Sequence, residues 1–347
     1  TSEKLINSDY YRVNDLYVDS LKDRTFIGTI YGQGAFLLDH KTGKQELLTV
    51  NGEFPALEVG FDILKIMTDR NGNCYMHTGD AIYVWNEEKH TLLPYDKSPE
   101  LVKRTSDLDP WIICEGESGT YWFGGDDSDF FGFDFNKNQV KEFSSKDAAK
   151  LLTLEKAYVK DIREVTDRNE LWVLYENGLV RYNLEKNSAI TYKVEINNPN
   201  GLNGFQPLNV QEDAQGYIWV TSFPGGLYRI DPDLGPDQDI LQLNELLDIT
   251  SRKNFRCLSH GKFMWWITNN DICCLNTETF AIRAFGYESG YNGENYFPSI
   301  IVDHNDKFYL TALGGYLEFE VNDLFKIESV PDLYIEKIKI NGEYLES

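Results

Sequence analysis

Glu212-Asp213-Ala214-Gln215-Gly216-Tyr217-Ile218-Trp219-Val220-Thr221, followed by Gly225-Gly226-Leu227-Tyr228-Arg229-Ile230-Asp231, is the stretch that decides the fold. Asp213 to Gly216 is polar and ends in glycine, which suits a tight hairpin turn. Tyr217 to Thr221 is aromatic and β-branched, the composition strands favour. Gly225-Gly226 supplies a permissive backbone for the next reversal, and Leu227 to Ile230 alternates again.

The same phrase recurs along the chain. Aromatic anchors equivalent to Trp219 stand at Phe26, Tyr75, Trp122, Trp172, Trp265 and Tyr309, so that successive anchors are 49, 47, 50, 47, 46 and 44 residues apart. A near-constant period of roughly 40–50 residues with four short strands per unit is the pattern of a β-propeller. A sandwich with coincidental aromatics would not keep register over the whole chain. The expectation is therefore an all-β fold, a seven-bladed β-propeller of four-stranded blades, with blades at 10–50, 60–96, 108–143, 157–195, 202–243, 252–286 and 294–326. Two helical interruptions are expected, at Ala148–Leu152 and within Leu241–Leu247. After 330 the composition shifts. Pro331 to Tyr344 reads as a strand, an Asn341-Gly342 turn and the start of a second strand, the first hairpin of a truncated β-sandwich.

The chain has 347 residues, more than one globular core readily fills. A ring of blades avoids that limit, because burial is shared between neighbours. Net charge is −23, with 33 basic and 56 acidic residues. With no basic face to neutralise phosphate, a nucleic-acid partner is excluded. No apolar run reaches membrane-spanning length, and no signal peptide opens the chain. The opening Thr1-Ser2-Glu3-Lys4-Leu5 reads as the interior of a longer protein. The five cysteines (Cys74, Cys114, Cys257, Cys273 and Cys274) show no Cys-x-x-Cys spacing, so zinc and thioredoxin-like chemistry have no support.

Catalytic motifs are lacking: there is no G-x-S-x-G elbow, phosphate loop or H-E-x-x-H. The five histidines are spread over different blades without metal-ligand spacing. The expectation is no catalytic residue, no metal and no cofactor. Asp126-Asp127-Ser128-Asp129 is the densest acidic cluster, but it lacks the spacing of a calcium loop.

In a propeller the second-to-third strand connections and the blade-to-blade connections share one face. The first set carries Asp126, Asp127, Tyr175, Phe223 and Asn269; the second carries Trp111, Asn203, Phe205, Tyr287, Tyr291 and Asn295. Aromatic rings stack on the C–H faces of sugars and amides bond hydroxyls, so these eleven residues are the candidate ligand-binding set. The same Asn-Gly-rich loops also make good turns.

The repeat phrase D-x-x-G-x-[IL]-W-[VF]-x-T, then G-L-x-R-[YI]-[ND], resembles the two-component regulator propeller repeat, best at Asp213–Asp231 and Trp172–Asn183. Asn295-Tyr296-Phe297, Gly314 to Phe319 and Pro331 to Gly342 resemble the last blade of that family running into its triple-tyrosine domain. The family comprises Bacteroides-type hybrid two-component sensors and related regulators. The resemblance implies domains at 1–330 (propeller) and 331–347 (start of the triple-tyrosine β-sandwich). It implies a non-catalytic periplasmic sensor region of an inner-membrane protein, without direct membrane contact itself. Its partners would be an oligosaccharide ligand, an upstream propeller, the downstream sandwich and a second copy in a homodimer, with a histidine kinase elsewhere in the protein. A polysaccharide-acting lyase or hydrolase and a protein-interaction scaffold are the alternatives.

Overall fold

The structure, a computed structural model, describes residues 2–5, 12–54, 61–79, 81–125, 129–142, 158–186, 188–194, 201–202, 206–223, 226–234, 240–243, 257–267, 271–286, 296–302, 307–312, 315–326, 339–340 and 343–344. The first strand of blade one, Arg12–Asp19, pairs with Arg24–Ile30, and the sheet continues through Ala35–Asp39 to Gln45–Leu47. Five further blades repeat this order, with first strands at Lys65–Thr68, Ile112–Glu115, Val159–Val165, Gln206–Glu212 and Cys257–His260. All pairings within them are antiparallel, as consecutive hairpins require.

The expectation of seven self-contained blades followed by a sandwich needs correction. Six blades are written as four consecutive strands. The remaining four-stranded sheet is composite: Tyr296–Val302, Lys307–Ala312 and Gly315–Glu320 come from the far end of the chain, and Ser2–Leu5 pairs onto Gly315–Glu320 as the outer strand. The repeat period places the first blade near residue 10, and nothing in it marks residues 2–5 as the closing strand. Lys339–Ile340 and Glu343–Tyr344 form a short antiparallel pair, as expected of the strands on either side of Asn341-Gly342; a sandwich beyond that pair is not seen among the described residues.

The core lies between blades rather than within them. Val13, Leu16, Ile27, Phe36 and Leu38 of blade one pack against Tyr309 and Tyr316 of the composite sheet, which closes the ring. Around it, each anchor faces the blade that follows. Phe26 packs with Ile63 and Ile66, Trp122 with Val159 and Ile162, Trp172 with Val210 and Ile218, Trp219 with Cys257 and Met264, and Trp265 with Phe308 and Leu310. The next residue along the strand points the other way, as the pleat requires. Phe123, Val173, Val220 and Trp266 accordingly pack toward the preceding blade. Burying each such side chain on both sheet faces is worth about 1.5–3 kcal/mol, which explains why the aromatic period is strict while the loops vary.

The Asp and Gly of the repeat are also accounted for. One Asp213 oxygen accepts from the backbone N–H groups of Gln215 (2.9 Å) and Tyr217 (3.0 Å), and the other accepts from the Trp219 indole (2.6 Å). Gly216 takes φ +84° to close the turn. Asp69 does the same in blade two, accepting from the N–H groups of Asn71 and Asn73 and from the Tyr75 hydroxyl (3.1 Å). One carboxylate thus folds the turn and holds the anchor ring.

Two helices were not anticipated. Pro99–Leu108 joins blades two and three. Ser98 caps it by accepting from the Leu101 N–H, Pro99 opens it, and Asp109 ends it in the left-handed region. Val321–Lys326 follows the composite sheet. Ile240–Gln242 is a strand, so the helical turn expected within 241–247 does not begin at Leu241; residues 244–247, and the helix expected at 148–152, fall outside the described residues.

Gly124 ends the second strand of blade three where blade four's first strand passes. A Cβ there would lie 2.6 Å from Val159 Cγ1. Gly124→Ala is expected to destabilise the fold by about 1–3 kcal/mol, read from urea unfolding; an unchanged midpoint would mean the two blades do not meet at this point.

Candidate functional site

Two faces frame the ring. One carries the second-to-third strand connections and the blade-to-blade connections; the other carries the two remaining sets of turns. The sequence-derived candidates were placed on the first face. Trp111 is there, directly before the first strand of blade three, and is 42% exposed. Tyr158 stands in the same position before blade four and is also exposed, at 37%. The Lys160 ammonium lies between them, 5.0 Å from the Trp111 ring centre and 5.6 Å from that of Tyr158. This is a ledge of two rings with a cation between them, assembled from neighbouring blades. Tyr158 and Lys160 were missed because adjacency across blades is invisible in a linear reading.

Tyr175 is different. Expected in a connection, it belongs instead to the strand Glu170–Tyr175 and is fully buried, among Phe130, Val159 and Ile162. Its hydroxyl meets that of Tyr182 at 3.3 Å, and burial holds its pKa well above the ordinary tyrosine value. It belongs to the core between blades three and four rather than facing solvent. Phe223 ends the strand Ile218–Phe223 on the same face. Asp126, Asp127, Asn203, Phe205, Asn269, Tyr287, Tyr291 and Asn295 lie outside the described residues. Of the acidic run, Asp129 is described: it pairs with Arg104 at 3.4 Å, tying the helix Pro99–Leu108 to blade three.

The opposite face holds a cavity of about 820 Å³ at the ends of the first strands of blades four to six, lined by Glu117, Arg163, Asp167, Arg168, Glu212 and Gln215 among others. Arg163 donates to Glu117 at 2.6 Å and lies 3.8 Å from Glu212. Glu117 also accepts from the Thr166 backbone (3.1 Å) and hydroxyl (2.8 Å). Arg168 makes a two-pronged bond to Asp233, at 2.6 and 3.0 Å. Glu212 is the perturbed group: burial, reinforced by the Glu117 charge and opposed by Arg163 and Arg168, raises its pKa to about 6. Nothing in the local sequence distinguishes Glu212 from the many other glutamates, since its environment exists only once the blades assemble.

The buried thiols are inert. Burial raises Cys74 and Cys257 far above the ordinary value, Cys273 to about 12 and Cys274 to about 11. Among the described residues no group of three or more His, Cys, Asp or Glu could hold a metal ion, and no helix is long and apolar enough to cross a membrane.

The raised Glu212 pKa has a definite sign. Its ordinary value is 4.5, so between pH 4.5 and 6 the folded state binds more proton than the unfolded, and stability falls as pH rises through that window. Glu212→Gln removes this cost, while Arg163 keeps Glu117. After discounting for solvent screening, the variant is expected to gain about 1 kcal/mol at pH 7.5 and nothing below pH 4.5. Thermal unfolding at the two pH values checks this; an equal gain at both would point to packing instead.

No family model matches the sequence, and no curated protein matches it. Solved structures do. The extracellular domain of the hybrid two-component system BT3049 from B. thetaiotaomicron superposes with a TM-score of 0.69 at 16% identity, over 100% of this chain and 45% of that one. That of BT4673 from the same organism gives 0.61 at 16% identity, over 100% and 46%. YCF48 bound to D1 peptide gives 0.60 at 9% identity, over 90% and 93%. The chain thus spans a little under half the length of the two B. thetaiotaomicron domains. At these identities the likeness shows the fold, a β-propeller.

Proposed function

We propose that this chain is a non-catalytic sensory propeller of a hybrid two-component system, positioned in the periplasm, that recognises a glycan fragment and relays the event to a kinase elsewhere in the full-length protein. The observation that carries the reading is coverage: the whole chain overlies part of the extracellular domains of BT3049 and BT4673. The ledge of Trp111, Lys160 and Tyr158 supports the choice of ligand class. Exposed rings offer apolar faces to sugar C–H groups, and the ammonium between them donates to hydroxyls. Relay would follow from a ligand that binds one arrangement of neighbouring domains more tightly than another.

A second reading, a scaffold for protein partners, is favoured by YCF48, which has the same fold and is bound to a peptide. Calorimetry separates the two. The intact chain is titrated with a panel of oligosaccharides and with a panel of peptides. The expected outcome is heat from at least one oligosaccharide, weakened roughly 2- to 10-fold by Trp111→Ala. Heat from peptides alone would favour the scaffold, and silence from both panels would remove the sensory reading of this region.

A further inference from the structure

A second cavity, of about 490 Å³, lies on the face opposite the ledge, between blade six and the helix Val321–Lys326. Its apolar floor is Phe263, Phe325, Val321 and Ala281. The two phenyl rings lie 5.2 Å apart, centre to centre, at 30°. Phe325 is fixed from behind by Trp265 (5.9 Å) and Phe285 (5.6 Å), so the floor is preformed. Lys262 and Arg283 stand at the rim, the ammonium 5.5 Å from the Phe263 ring and the guanidinium 5.4 Å from that of Phe325. Both are exposed.

The charge at this cavity is unusual for the molecule. The chain carries 56 acidic residues against 33 basic ones, yet among the described residues no carboxylate lines the pocket. Arg24, Arg104, Arg163, Arg168 and Arg181 each meet a carboxylate. Lys262 and Arg283 make no ion pair among the described residues. Two uncompensated cations above a rigid aromatic floor, in a space of small-molecule size, call for an anion on an apolar body.

We infer that this pocket binds a compact organic anion, a carboxylate carried on a ring, with the ring lying against Phe263 and Phe325 and the carboxylate between Lys262 and Arg283. The guanidinium offers a forked pair of donors to the two oxygens and the ammonium a point charge. A uronic acid and an aryl carboxylate share this chemistry. The remaining acidic surface repels anions only over about 8 Å at physiological salt. Attraction inside the pocket therefore survives while long-range approach is slowed. The site is separate from the glycan ledge and does not depend on the sensory reading.

The test titrates the intact chain with galacturonate, with 4-hydroxyphenylacetate and with the uncharged primary amide of each, followed by calorimetry and ligand-observed NMR. Binding by one or both carboxylates is expected, at least 10-fold tighter than by the matching amide and at least 10-fold weaker in Lys262→Gln/Arg283→Gln. Whichever acid binds more tightly identifies the source. Both substitutions are at exposed positions, and an unchanged thermal midpoint confirms that the variant folds. Absence of binding by either acid, amides that bind as well as acids, or a double variant with unchanged affinity would each overturn the assignment.

Discussion

The ring depends on side chains of the first strands that reach across to the backbone of the next blade. Asp15 accepts from the Ile66 N–H at 2.8 Å, and Asp161 accepts from the Val210 N–H at 2.9 Å. The Asn209 amide both accepts from the Cys257 N–H (3.0 Å) and donates to its carbonyl (2.9 Å). Each of these residues follows a register shift in its own strand, at Val13/Asp15, Val159/Asp161 and Pro207/Asn209. A bulge re-aims a side chain that regular pleating would direct elsewhere. The first strand is the inner edge of its sheet, and an edge presents unpaired donors and acceptors. By satisfying one donor with a buried acceptor at these three junctions, the clasp makes the inner edge a partner of the next blade there. Losing one such acceptor would strand a buried N–H, at about 1–3 kcal/mol.

The clasps explain why blades do not stand alone. A four-stranded sheet here has both faces apolar, because Trp172 and Val173 point opposite ways and both are completely buried. Neither face can be left to water, so the chain must continue until the last sheet meets the first. That closure uses Ser2–Leu5 as the outer strand of a sheet otherwise built some 300 residues later. Both ends of the propeller are thereby held in one hydrogen-bonded sheet, which ties the outer edge of the final blade.

The legible part of the fold follows from that logic. An anchor ring buried against a neighbour has to recur, and Phe26, Tyr75, Trp122, Trp172, Trp219, Trp265 and Tyr309 are all buried. The closing strand was not legible, because Ser-Glu-Lys-Leu carries no aromatic or β-branched residue to mark it. The helix Pro99–Leu108 does carry its signals, a capping Ser98 and then Pro99, in the connection between two blades. Tyr175 looked like a loop residue because Glu176-Asn177 follows it, whereas the strand runs through to Tyr175 itself. The charged cavity was illegible in principle. Glu117, Arg163 and Glu212 come from three blades, and proximity across blades leaves no local trace in the sequence.

A closed ring of this kind constrains how any binding event could be transmitted. The interfaces are packed with buried side chains, and three of the junctions are also clasped at the inner edge, so repacking one blade would disturb its neighbours in turn. Such interiors resist continuous deformation, and small shifts are amplified only where an interface has two arrangements. Among the described features, those free to differ between arrangements are at the surface: the ledge of Trp111, Lys160 and Tyr158 on one face, and the Glu212 cavity and the Lys262–Arg283 pocket on the other. Because the two faces are joined by strands of only four to eight residues, any relay through this ring would have to come from movement of the whole ring against a neighbouring domain, and a ligand could drive it only by favouring one such arrangement over another.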